Sequence, residues 1–76
     1  MDEQVLHIIF PPSLLKKPII NDLIRKYQNL EVNILRADIS VDSAWLEIQL
    51  FGTSAVIEDA INWMRVLGIE VRVSGA

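Results

Sequence analysis

The chain has 76 residues, 51% of them hydrophobic, with no cysteine, one histidine and a formal net charge of −3. Without cysteine there can be no disulfide, thiolate metal site or iron–sulfur ligation, and a single histidine rules out a multi-histidine metal site within one chain. The basic residues are scattered, with Lys16-Lys17 and Arg25-Lys26 as the only adjacent pairs. They offer no phosphate-neutralising face, so nucleic-acid binding is not expected.

At this length one domain, spanning residues 1–76, is the expectation, and folding hides only about 60% of the unfolded chain's surface. So high a hydrophobic content then favours self-association or a partner. Gln4 to Phe10 reads as a strand with Leu6, Ile8 and Phe10 on one face and Val5, His7 and Ile9 on the other. Both faces are largely apolar, which suits a central position in a sheet. Pro11-Pro12 ends it, because proline donates nothing to a ladder. Ser13 to Lys17 is a connector, and Pro18 suits the first position of a helix. Ile19, Ile20, Leu23, Ile24 and Tyr27 form its apolar stripe, and Asn29 fits a left-handed C-terminal cap.

Glu31 to Phe51 reads as a hairpin whose turn is Val41-Asp42-Ser43. In its first strand Val32 and Ile34 share one parity, while Leu35, Ala37 and Ile39 share the other. A β-bulge near Ile34-Leu35 would turn both sets to the core, and a plain two-sided strand is the alternative. In its second strand Leu46, Ile48 and Leu50 alternate with Trp45, Glu47 and Gln49. Thr53 or Ser54 then caps a second helix with the stripe Val56, Ile57, Ala60, Ile61, Met64 and Leu67, flanked by Trp63. Gly68 stops that helix, and Ile69, Val71 and Val73 alternate as the last strand before a frayed Ser74-Gly75-Ala76 end.

The order β-α-β-β-α-β predicts an α+β, ferredoxin-like fold: a four-stranded antiparallel sheet, order 4-1-3-2, with both helices on one face. No apolar run approaches the roughly 18 residues of a membrane span, and Met1-Asp2-Glu3 does not suit a secretory signal. A cytoplasmic protein without membrane insertion is expected.

The run Glu31-Val32-Asn33-Ile34-Leu35 resembles the signature of the NIL domain family. Pro18-Ile19-Ile20, Leu46-Glu47-Ile48, Gly52-Thr53, and Ala60-Ile61 followed by Trp63-Met64 continue the resemblance from about Val5 to Val73. In that family the ferredoxin-like domain is the C-terminal regulatory module of methionine-import ABC transporter ATPases, pairs with a second copy, and binds methionine. It also occurs fused to iron–sulfur ferredoxins. The resemblance implies a free-standing regulatory domain, because this chain has neither a Walker A loop nor cysteines, and ATP hydrolysis and electron transfer do not carry over. It also implies that Asn33 matches the motif asparagine associated with methionine contact.

The implied site is Asn33 for the polar end of a small amino acid, with Ile34, Leu35 or Trp45 beside its apolar part. An amide offers two donors and an acceptor to a carboxylate and an ammonium. Asn33 bonding backbone at the strand entrance is the structural alternative. Trp45 projects onto the helix-free face near His7 and Ile9, as a dimer contact or ligand wall. Trp63 reads as a packed helix-flank residue, and His7 as a sheet-face or interface residue. Glu58-Asp59 and Asp2-Glu3 lack the cleft setting that acid–base catalysis needs, so no enzyme activity and no cofactor are expected. Two functions compete: a methionine-like sensor at a homodimer interface, and a ligand-free interaction module docking on a larger protein such as a transporter or ferredoxin complex. A third, RNA binding on the open sheet, would need stacking aromatics and basic flanks, and only Trp45 meets that need.

Overall fold

Period-2 runs become strands and 3.6-spaced stripes become helices in the computed structural model, which describes residues 1–74. The elements are β1 (Asp2–Phe10), α1 (Ile19–Lys26), β2 (Glu31–Ile39), β3 (Ala44–Gly52), α2 (Ser54–Val66) and β4 (Glu70–Val73), with a short 3₁₀ turn at Pro12–Leu14. Gly75 and Ala76, expected at the frayed end, lie outside the described residues. The strands form one antiparallel sheet in the order β2-β3-β1-β4, so the ferredoxin-like arrangement is the observed one.

β1 lies between β3 and β4, and its register runs from Asp2 opposite Gly52 to Phe10 opposite Ala44. Leu6 and Ile8 of β1, Leu46, Ile48 and Leu50 of β3, and Val71 of β4 point into one apolar cluster. There they meet Ile19 and Leu23 of α1 and Ile57, Ala60, Ile61 and Met64 of α2. Both helices therefore cover the same sheet face. Each fully buried side chain, such as Leu23, Ile48 or Met64, contributes about 1.5–3 kcal/mol by leaving water.

Thr53 is the cap of α2, its Oγ1 accepting from the Val56 N–H at 3.2 Å. At the other end Gly68 adopts φ 99°, and the chain closes through Gly68 N–H to Arg65 O and Ile69 N–H to Met64 O. That double bond pattern satisfies carbonyls the helix end leaves free.

α1 departs from expectation at both ends. Pro18 is its cap and Ile19 its first helical residue. Asn29 is not left-handed: among the described residues no non-glycine residue has positive φ. Instead Tyr27 leaves the helix with φ −118°, and Leu30 N–H bonds Tyr27 O at 3.0 Å, closing a turn that needs no left-handed residue. Ile24, placed in the apolar stripe by spacing, is 45% exposed. The helix contacts the sheet chiefly through Ile19 and Leu23, and Ile24 falls outside that narrow seam.

The bulge in β2 is present. Register passes from Ile34 opposite Ile48 to Arg36 opposite Glu47, leaving Leu35 as the extra residue. Val32, Ile34, Ala37 and Ile39 thus share the helix side with Leu50, Ile48, Leu46 and Ala44. Leu35 does not join them. It lines the opposite face with Glu47 and Gln49, because the extra residue of a bulge opposes the same partner as its successor.

Candidate functional site

The helix-free face of the sheet carries three of the four sequence-identified site residues. β3 presents Trp45, Glu47, Gln49 and Phe51 there, and β1 sets Ile9, His7, Val5 and Glu3 directly opposite them in that order. Along β2, Asn33 stands opposite Gln49, Arg36 opposite Glu47 and Asp38 opposite Trp45.

The Trp45 ring stacks on His7, with centroids 4.9 Å apart and planes inclined by 22°. The Arg36 guanidinium lies 5.8 Å from the Trp45 centroid, within cation–π reach. Arg36 also pairs with Glu47, Nη2 to Oε2 at 3.1 Å, but its side chain is 66% exposed, so the pair contributes less than about 1 kcal/mol. Trp45 is therefore half-buried within the single chain, near His7 and Ile9 as alternation predicts. Arg36 escapes sequence reasoning because its face depends on the bulge. Had the extra residue been placed at Leu35, the phase of β2 would have brought Arg36 beside Glu47.

Asn33 is exposed, next to Gln49, whose Nε2 donates to Glu3 Oε2 at 2.8 Å. The side-chain hydrogen bonds among the described residues do not include the Asn33 amide. Leu35 lies on the same face, in an open depression shared with Val5, Glu47 and Gln49.

Asn33 and Leu35 are brought together, while Ile34 and Trp45 stand apart from them. Ile34 is paired with Ile48 and so faces the helix side, where it is 50% exposed at the uncovered sheet edge. Trp45 shares the face of Asn33 but is separated from Gln49 by four residues of β3, about 13 Å at the rise of a strand. One small amino acid does not bridge that distance within one chain. Elsewhere, Trp63 packs edge-on against Tyr27 at 6.4 Å, as a helix-flank residue should. Among the described residues no three His, Cys, Asp or Glu side chains are grouped to hold a metal ion.

Against this geometry, the NIL domain family model matches residues 4–73. The chain is 35% identical over 54 residues to the L-aspartate semialdehyde sulfurtransferase iron-sulfur subunit of Methanocaldococcus jannaschii, covering 71% of this chain and 40% of that protein. It is 29% identical to the methionine import ATP-binding protein MetN of Helicobacter pylori, over 91% of this chain and 22% of that protein. It thus spans less than half the length of either relative. The C-terminal domain of an ABC transporter ATP-binding protein from Enterococcus faecalis has the same fold at a TM-score of 0.82 and 32% identity, covering 95% of this chain and 83% of that one. A designed protein, Foldit4, shares the fold alone, at a TM-score of 0.58 and 17% identity.

Proposed function

Because the chain belongs to the NIL domain family, we propose that it is a non-enzymatic regulatory domain that binds methionine or a similar amino acid at a homodimer interface. The observation that carries this reading is the exposed Asn33 amide, without an internal partner, beside the apolar Leu35 on an edge strand. A small amphoteric ligand needs a few placed polar groups next to an apolar wall. Asn33 holds the ammonium or carboxylate, Leu35 meets the thioether, and a second copy brings Ile34 or Trp45 to close the site. The likeness to a methionine import ATP-binding protein and to the C-terminal domain of an ABC transporter ATP-binding protein supports a regulatory role on a transport protein, which we place in the cytoplasm.

A sensor must release its ligand at cellular levels, so weak binding is functional. A dissociation constant around 1 mM corresponds to only ~4 kcal/mol. Losing the Asn33 hydrogen bonds costs about 1–3 kcal/mol, enough to abolish so weak an interaction. The test is an NMR titration with L-methionine, with D-methionine and L-leucine as comparisons. Shifts in the Val32–Leu35 segment that disappear in Asn33→Ala are expected. If that segment does not respond at saturating ligand, or Asn33→Ala binds as well as the wild type, sensing fails and a ligand-free interaction module takes its place.

A further inference from the structure

On the helix side of the sheet, far from Asn33, an apolar cleft of about 200 Å³ opens between the start of α1 and the ends of β1, β2 and β3. Its walls include Phe10, Leu14, Ile39 and Leu46, and Lys17 and Asn21 are the polar residues among those that line it. Three features keep it open. α1 starts only at Ile19, the residue opposite Ile39 is the small Ala44, and Ile39 itself stays 70% exposed although its register turns it toward the core. Lys17 makes no ion pair among the described residues. In a chain of net charge −3, the mouth of this cleft therefore holds an uncompensated cation beside apolar walls.

We propose that the cleft is a binding site for a short aliphatic monocarboxylate, independent of the Asn33 site. The carboxylate pairs with the Lys17 ammonium, Asn21 supplies a hydrogen-bond donor, and the hydrocarbon tail lies against Phe10, Ile39 and Leu46. Size favours a chain of a few carbons, because the cleft is smaller than the roughly 300–1,000 Å³ pockets that hold drug-sized ligands. Charge separates this ligand class from a free amino acid. No carboxylate lines the cleft, so an α-ammonium would sit beside the like charge of Lys17 with no acidic partner to offset it.

The experiment is an NMR titration of the chain with 4-methylpentanoate, alongside 4-methylpentanamide as its neutral isostere and L-leucine as its ammonium-bearing counterpart. Saturable shifts at Ile20, Ile39 and Ala44, without shifts at Asn33, are expected for the carboxylate. Lys17→Gln should weaken binding about two- to fivefold, the range of a partly exposed ion pair, and the amide and leucine should bind more weakly by a similar factor. Lys17 is exposed, so its loss leaves the core intact. Ile39→Glu, also at an exposed position, should abolish the response by setting a repelling carboxylate on the wall. Absence of saturable shifts at about 20 mM carboxylate, well above a millimolar dissociation constant, overturns the site. So does equal binding of the acid and its amide, or an undiminished affinity in Lys17→Gln.

Discussion

His7 and Trp45 stack across neighbouring strands at 4.9 Å, and Arg36 covers the Trp45 ring from β2 at 5.8 Å. Such a pair contributes about 0.5–1.5 kcal/mol beyond the area it buries. The indole, beside His7 and opposite Ile9, is the large apolar group of the helix-free face that a second copy would cover. Trp45→Glu should then convert a dimer into the 8.6 kDa species, because pairing would bury an unpartnered charge. Sedimentation is the measurement. A Trp45→Glu chain that self-associates like the wild type excludes this face, and a wild type that stays at 8.6 kDa at high concentration excludes the dimer.

Gly52 ends β3 in a position with no room for a side chain. A Cβ there would stand 2.8 Å from Val56 Cγ1 and 3.4 Å from the Asn29 carbonyl oxygen. The valine is the first obstacle, and its χ1 is stiff in a helix. Gly52→Ala should lower the unfolding free energy by about 1–3 kcal/mol, the usual range for overpacking. Urea denaturation should show Val56→Ala recovering part of that loss in the same chain. Additive losses in the double variant would mean that the clash is not with Val56.

Gly68 is constrained by its backbone instead. A Cβ there meets nothing closer than Pro11 Cγ at 3.9 Å, yet φ is 99°. Gly68→Ala should cost about 1–2 kcal/mol through left-handed strain alone, without disturbing neighbouring side chains. Thermal denaturation with an unchanged near-UV spectrum would show this. A loss no larger than that of an ordinary surface substitution would count against it.

The fold was legible because each strand and helix keeps one period for several residues, and cap chemistry brackets α2, with Thr53 or Ser54 before it and Gly68 after it; the structure selects Thr53. Local signals failed where a tertiary alternative existed. Asn29 has the chemistry of a left-handed cap, but the Leu30 N–H finds the Tyr27 carbonyl in an ordinary turn. In β2 the parity break left two possibilities, and only pairing with β3 selected the bulge that turns Arg36 toward Trp45. The site was less legible. Residues adjacent in the motif, Asn33 and Ile34, face opposite sides of the sheet, and Trp45 lies a strand and several residues away. Side-chain alternation predicts the first fact, but the distance to Trp45 follows only from register.

Tyr27 links the two helices: its hydroxyl donates to the Asp59 carbonyl oxygen at 3.1 Å while its ring meets the edge of Trp63. Desolvation by burial, and then the negative charge of Asp59, push the phenol pKa above its ordinary value of 10.0. The sign follows from linkage. A group whose folded pKa exceeds its unfolded one stabilises the fold fully below the unfolded value, and loses that contribution as pH rises through the folded value. At about pH 8, Tyr27→Phe should cost about 0.5–1.5 kcal/mol for the lost hydrogen bond. Between about pH 10 and pH 12 the wild type must either keep a costly neutral phenol or ionise against Asp59, so the gap between the two proteins should narrow. Urea denaturation of both across this range decides the matter. A gap that stays constant to about pH 12 would mean that the phenol ionises as readily in the folded chain as in the unfolded one.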